Sequence, residues 1–368
     1  MKALPRRQFI RQAAAFALAA PFISTTVTRA LAQAAEKKIG FALCGLGNLS
    51  RNQIAPAFEK TNNCRLAGLI TGTPIKAQNW KKEYNIPEKN IYNYETMDQI
   101  ADNPDIDVVY VVTPNGLHAR DAIKAAKAGK HVFSEKPMEA SVDKAQAMID
   151  ACKAANRLLA VGYRCHFDTN NLECVRLARE KVFGDLKIIE ACFDIPLSGG
   201  DTQWRLKKSL SGGGTLMDVG IYALQATRYL TGEEPIMVSG METKTNPERF
   251  KEVDETVTWQ LKFPSGVIAY CSASYNSSLV GGYRAVAQNG WFELKPGFYY
   301  DGNEGRRSDG KTIKLPDVNQ FAAQMDDFAQ CIRENKPSKV SGEEGLRDLK
   351  IIAAIYESIK TGRSVALA

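Results

Sequence analysis

The sequence has little histidine, no thiol pair and no long apolar run, and each shortage excludes something. Three histidines occur in 368 residues, and neither they nor the eight cysteines fall into a metal-ligand spacing. No resident metal is therefore expected. None of the cysteines forms a C-x-x-C pair, and Cys44, Cys192 and Cys271 sit inside strand-like apolar stretches, so buried free thiols are expected. The longest apolar run, Ala13 to Ile23, falls short of the roughly 20 residues that span a membrane. Net charge is also scarce. The formal value is +7, but five of the 48 basic residues (Lys2, Arg6, Arg7, Arg11 and Arg29) precede residue 35, where no acid occurs. The remainder carries 43 basic against 41 acidic residues, which gives no electrostatic case for nucleic acid or an anionic membrane as a partner.

Residues 1–34 have a basic front, an apolar middle and a small-residue exit, with Ala30-Leu31-Ala32 or Ala32-Gln33-Ala34 suited to cleavage. That is a secretory leader. Arg6-Arg7-Gln8-Phe9-Ile10-Arg11 resembles the twin-arginine consensus, which exports proteins already folded, and a periplasmic location is expected. An ordinary leader with a chance arginine pair is the alternative. Folding before export also agrees with cysteines that need no oxidation.

The stretch Ile39 to Ser50 organises the rest. Ile-Gly-Phe-Ala-Leu-Cys reads as a buried strand running into Gly45-Leu46-Gly47-Asn48-Leu49, after which a helical pattern begins near Asn52. A glycine turn between strand and helix lets backbone N–H groups approach a pyrophosphate at the helix's positive end. The third glycine of the usual fingerprint is Ser50 here. The signal therefore rests on context: a second strand, Cys64 to Ile70, completes the unit. That strand ends Thr71-Gly72-Thr73 and is followed by Lys76, with no acid to hold a ribose 2′-hydroxyl. A hydroxyl and an ammonium suit a 2′-phosphate, so NADP is expected; a helix cap at Thr71 and a solvated Lys76 are the bland alternative.

Helical stretches then alternate with strands: Pro74 to Tyr84, a strand near Ile91, a strand Asp107 to Val112, a helix Leu117 to Lys127, a strand His131 to Ser134, a helix Val142 to Ala155 and a strand Leu158 to Tyr163. This predicts a doubly wound parallel sheet over 35–163, with ligands at the strands' carboxyl ends. Pro114, Asn115, His118, Glu135 and Lys136 occupy such ends. From Arg164 the texture changes. Segments Lys187 to Asp194, Ile236 to Lys244, Thr256 to Phe263 and Gly266 to Ser274 predict an open-faced, mainly antiparallel sheet within 164–340. Helices are expected at Asn171 to Glu180 and Met217 to Leu230, an exposed loop at Asp301 to Gly310, and a last helix Glu343 to Ile359 opening 341–368.

Gly45-x-Gly47, Glu135-Lys136-Pro137, Gly162-Tyr163-Arg164-Cys165-His166, Gln203-Trp204-Arg205 and Gly212-Gly213-Gly214-Thr215-Leu216-Met217-Asp218-Val219-Gly220-Ile221-Tyr222, in this order, resemble the Gfo/Idh/MocA oxidoreductases. Within that family the pattern is most similar to the glucose-fructose and, more closely, the aldose-aldose oxidoreductases. The resemblance implies an NADP-dependent enzyme that oxidises an aldose at C1 to its lactone and reduces a second sugar on the same bound cofactor. It implies catalytic roles for Lys136, Asp218 and Tyr222. Lys136 would favour the Tyr222 phenolate, and Asp218 would bind sugar hydroxyls and orient Tyr222. Arg164, Trp204, Arg205 and Tyr299 would reach cofactor or sugar, with Thr71, Lys76 and Tyr94 at the adenosine end and His166 as a supporting residue. Sugars are the expected partners, with the C-terminal sheet as a face for self-association. A simple NADP-dependent aldose dehydrogenase exchanging free cofactor, and a non-catalytic sugar-binding protein on this fold, are the competing readings.

Overall fold

The structure, a computed structural model, describes residues 37–367; the expected leader at 1–34 lies outside them. Two sheets carry the chain from Ile39 onward, and they belong to one compact unit.

The first sheet is parallel throughout, in the order β3-β2-β1-β4-β5-β6, with β1 Ile39–Cys44, β2 Cys64–Ile70, β3 Ile91–Tyr92, β4 Val108–Val111, β5 His131–Glu135 and β6 Leu159–Gly162. Its central strands are apolar along their whole length because helices cover both faces, and β4 is buried at every position. The helices of ten residues or more here are α1 Pro74–Tyr84, α2 His118–Lys127 and α3 Val142–Ala154. Strand order reverses between β1 and β4, and that switch point opens a crevice at the strands' carboxyl ends.

The second sheet has nine strands in the order β14-β13-β12-β11-β7-β10-β9-β8-β15. They are β7 Leu186–Asp194, β8 Met237–Thr243, β9 Thr256–Lys262, β10 Ile268–Ser274, β11 Val280–Ala287, β12 Gly290–Leu294, β13 Gly305–Arg307, β14 Thr312–Ile313 and β15 Val365–Ala366. All neighbours are antiparallel except β7 and β10. Strict alternation of burial along β9 shows one covered and one open face. The open face carries Ile188, Met241, Ile268 and Tyr270, all exposed. The covered face takes α4 Thr169–Arg179 and α5 Ile221–Thr231.

Three regions depart from the sequence reading. The loop expected to be exposed at 301–310 contributes β13 and buries Asn303. The helix α6 Gln320–Glu334 was not anticipated, although Phe321, Met325, Phe328 and Ala329 form a helical stripe and Asn319 caps it by accepting from the Ala322 N–H at 2.8 Å. Strands β11, β12, β14 and β15 were likewise unread. The last helix, α7 Gly342–Thr361, packs against α3 and β8 and so joins both sheets.

Candidate active site

The turn after β1 is shaped for close approach. Gly45 has φ of +102°, and a Cβ there would meet the Val112 carbonyl at 2.9 Å. A Cβ on Gly47 would meet nothing within 4 Å, so this backbone is open to a ligand. Ser50 takes the place of the third fingerprint glycine without loss: its buried hydroxyl donates to the Gly45 carbonyl at 2.6 Å and pins the turn. Across the cleft, the Thr71 hydroxyl accepts from the Thr73 N–H at 3.2 Å, and Lys76 Nζ reaches over to the Leu46 carbonyl at 3.2 Å. No side chain caps α1.

Gly45 to Leu49, Thr71, Thr73, Lys76, Tyr94, Thr113 to Asn115, His118, Trp204 and Arg205 line a cleft of about 370 Å³. It adjoins a second cleft of about 650 Å³ between the two sheets. Asn48, Leu49, Glu135, Lys136, Arg205 and Asp218 line both. An open glycine turn with a hydroxyl and an ammonium beside it fits a dinucleotide with an extra phosphate. The lining acids, Glu135 and Asp218, belong to the wall shared with the larger cleft, which Lys76 does not line.

Asp218 is the hub of the shared wall. Lys136 Nζ donates to its Oδ1 at 3.0 Å and to its backbone carbonyl at 2.6 Å, while Arg205 Nε and the Tyr275 hydroxyl each donate to Oδ2 at 2.8 Å. Burial alone would raise its pKa, but Arg205 and Lys136 outweigh burial and hold the carboxyl far below the usual carboxylate range. Both carboxylate oxygens already accept protein donors, so besides the expected acceptance from sugar hydroxyls the carboxylate fixes Lys136 and Arg205.

A five-residue π turn, Leu216–Gly220, carries Asp218 and runs straight into α5, which carries Tyr222. The last of the three glycines before it, Gly214, is needed for contact with Asp254. A Cβ on Gly214 would lie 1.9 Å from the Asp254 carbonyl, and the Asp254 carboxylate accepts from the N–H groups of Gly214 (2.7 Å) and Leu216 (2.9 Å) and from the Tyr356 hydroxyl (2.7 Å). Asp254 thus satisfies the free donors at this helix start.

The Tyr222 ring packs on Phe193 and Phe298 at 5.3 and 5.8 Å between centroids. Lys136 Nζ lies 5.0 Å from its centre and the Arg164 guanidinium 4.9 Å. Burial raises its pKa; Arg164 and Lys136 oppose that without overcoming it. Lys136 favours the Tyr222 phenolate, the direction expected of it, but desolvation of the phenolate is the larger effect. Beneath the site, buried Glu135 accepts from Tyr110 at 2.6 Å, and Gln324 of α6 donates to Tyr110 at 2.9 Å.

Most expected residues converge on these two clefts. Arg164 and Tyr299 line the larger one and do not reach the smaller, and Gly72 lines neither; a Cβ on it would touch the Tyr94 ring at 3.2 Å. His118, expected to touch cofactor, has both ring nitrogens against carbonyl oxygens, Thr113 on one side and Pro137 and Met138 on the other, so it ties the loops after β4 and β5 together. His166 packs on Tyr229 and pairs with Gln225 as a core residue. Tyr275 and Asp254 were missed, since each follows or precedes a strand far along the chain with no motif around it. All eight cysteines are unpaired.

Residues 39–163 match the NAD-binding Rossmann-fold domain of the Gfo/Idh/MocA oxidoreductase family, and residues 179–367 match that family's C-terminal alpha/beta domain. The chain belongs to this family. A D-xylose 1-dehydrogenase [NADP(+)] of Haloarcula marismortui is 30% identical over 91% of this chain and 94% of its own length. The structure of an aldose-aldose oxidoreductase from Caulobacter crescentus, in complex with glycerol, superposes with a TM-score of 0.87 at 43% identity, covering 90% of this chain and 100% of that one. A levoglucosan dehydrogenase complexed with NADH and L-sorbose shares the fold, with a TM-score of 0.78 at 21% identity over 90% of this chain and 99% of its own.

Proposed function

We propose that this protein is an NADP-dependent sugar oxidoreductase that couples two half-reactions, oxidising one aldose at C1 to its lactone and reducing a second sugar to an alditol. The observation that carries this reading is the meeting of Lys136, Asp218 and Tyr222 at the junction of the two clefts. A nicotinamide bound there would supply the hydride chemistry, taking a hydride from C1 of one sugar and returning it to the carbonyl carbon of the next. Tyr222 takes the proton of the C1 hydroxyl in the first half and gives a proton to the forming hydroxyl in the second. Lys136, fixed by Asp218, presents an ammonium beside that proton-transfer group. Arg205, held by the same carboxylate and 4.5 Å from the Trp204 ring, walls the junction.

NADP is favoured over NAD by Thr71, Thr73 and Lys76 in the cleft lining, with no acid in the segment 71–76 after β2, and by likeness to a dehydrogenase named for NADP(+). The likeness to an aldose-aldose oxidoreductase favours the coupled reaction. A twin-arginine leader at 1–34 would carry the folded protein, with its cofactor, to the periplasm, where no free NADP is expected to exchange with it. The D-xylose dehydrogenase likeness favours a second reading, a simple aldose dehydrogenase with free cofactor.

The test is the absorbance of freshly purified protein. In the coupled enzyme, about one NADP(H) per chain is present, reduced-nicotinamide absorbance appears when one aldose is added alone, and it disappears when a second sugar follows. Ping-pong kinetics accompany this. Protein that arrives empty and consumes added NADP⁺ in amounts equal to product refutes the coupling and leaves the dehydrogenase reading.

A further inference from the structure

Arg164, just after β6, is a buried cation without a carboxylate partner among the described residues. It is 4% exposed. Its Nη1 donates to Gln320 Oε1 at 2.6 Å, the Tyr299 carbonyl at 3.0 Å and Cys165 Sγ at 3.6 Å, its Nη2 donates to the Phe298 carbonyl at 2.6 Å, and its Nε has no partner. All of these acceptors are neutral. The guanidinium lies between two rings, 4.9 Å from Tyr222 and 4.5 Å from Tyr300. A buried charge is costly unless a counter-charge faces it. Lys136 differs in having a carboxylate, Asp218, at 3.0 Å, although it shares that single charge with Arg205.

We propose that Arg164 is the positioning residue against whose charge Tyr222 ionises. This rests on the reading of Tyr222 as the proton-transfer group. When the Tyr222 proton leaves to solvent, phenolate and guanidinium neutralise each other within the aromatic wall. When the phenolate then takes the proton of a sugar hydroxyl, the uncompensated cation returns, and with it a bias toward releasing that proton again. Both directions of proton transfer use the same imbalance. The other charged or titratable groups facing Tyr222 are Lys136 and Glu135 at the end of β5, Tyr110 on β4, Cys165 beside Arg164, Asp218 before α5, and Tyr300. Of these, Glu135 accepts the Tyr110 hydroxyl, and burial raises its pKa against the lowering effects of Tyr110, Lys136 and Arg164, while Asp218 is taken up by Lys136, Arg205 and Tyr275. Arg164 is therefore the cation at the ring with no carboxylate in ion-pair contact among the described residues, whereas Lys136 shares Asp218 with Arg205.

The test compares Arg164→Gln, which keeps an amide donor without the charge, with Arg164→Lys, which keeps the charge without the fork. In aldose oxidation, the limb of the pH profile of kcat/KM that reports Tyr222 should move up by about 1 to 2 pH units in Arg164→Gln and by less than about half a unit in Arg164→Lys. If both variants lose rate with the limb unmoved, Arg164 only holds Phe298, Tyr299 and Gln320, and the proposal is overturned. A second measurement needs no turnover: alkaline titration of tyrosinate absorbance, taken as the difference from a Tyr222→Phe background. The Tyr222 step should move upward in Arg164→Gln, and an unmoved step overturns the proposal. Should Arg164→Gln fail to fold, an upward displacement of a whole unit in Arg164→Lys overturns it as well. Full activity in Tyr222→Phe would instead remove the proton-transfer reading, while the titration would still decide whether Arg164 governs this tyrosine.

Discussion

Asp218→Asn is the most informative single change, because one carboxylate carries three donors. The amide keeps the shape but can accept from only one side, and its own N–H groups then face Lys136 or Arg205. Lys136 and Asp218 are each 12% exposed and 3.0 Å apart, so little water screens them. At an effective dielectric constant near 20, two charges at that distance interact by roughly 5 to 6 kcal/mol, an attraction offset in the parent by the cost of desolvating both ions. Arg205 is 35% exposed, so its pair is screened and adds less. Leaving a buried cation unpaired typically costs about 3 to 5 kcal/mol, and that loss is expected in urea unfolding of Asp218→Asn. In Asp218→Asn/Lys136→Met the lone ammonium is gone, so the double variant should recover on the order of 2 kcal/mol relative to the sum of the two single changes. The same substitution frees Lys136 from its place beside Tyr222, and turnover should fall by about 10²-fold or more. Strict additivity in the cycle, with Asp218→Asn within about 1 kcal/mol of the parent, would refute the argument that this carboxylate balances buried charge.

Tyr222→Phe should bind NADP(H) as the parent does yet lose about 10² to 10⁴ in turnover, since the ring's packing on Phe193 and Phe298 survives without the proton; steady-state rates and cofactor titration check both halves. Lys76→Ala should weaken NADP by about 1.5 to 3 kcal/mol while leaving NAD nearly unchanged, and equal losses for the two cofactors would contradict a 2′-phosphate contact. Acid should destabilise the protein through His166. Burial lowers its folded pKa to about 3, below the unfolded value, so the unfolded chain binds the extra proton first and stability falls as pH drops below about 6.5. This group contributes about 1.4 kcal/mol per pH unit in that window, and His166→Gln should flatten the slope in denaturant titrations from pH 7 to about 4.5.

The parallel half of the fold was legible because its signals are local. Cys64–Ile70 and Pro74–Tyr84 stand at the bounds that the sequence marks, since proline opens the helix and Asn85, at φ of 53°, closes it. The second sheet was harder to read. Strands such as Val280–Ala287, with two glycines, draw their order from pairing with β7 and β12, which no window of sequence contains. The helix Gln320–Glu334 did have a local signal, an apolar stripe behind an asparagine cap, and it matters for function because Gln320 holds Arg164 and Gln324 supports the Tyr110–Glu135 pair.

For the site, motifs place residue types but leave the balance of charge unread. Glu135-Lys136-Pro137 and the glycine-rich segment ending at Tyr222 bring an ammonium and a phenol together, and from that alone Lys136 is the natural cation for the phenolate. The choice is complicated by Asp218, which accepts both Lys136 at 3.0 Å and Arg205 at 2.8 Å and so sets one negative charge against two cations. It turns equally on what Arg164 lacks: three neutral oxygens occupy its donors, contributed by residues 298, 299 and 320, more than 130 positions away. An ion pair is a property of two side chains, whereas an unbalanced charge is a property of every side chain around it. That second quantity appears only once the sheet, the loop after β12 and α6 are folded against one another, and it adds the arginine beside Tyr222 to the lysine of the motif in the electrostatics of that ring.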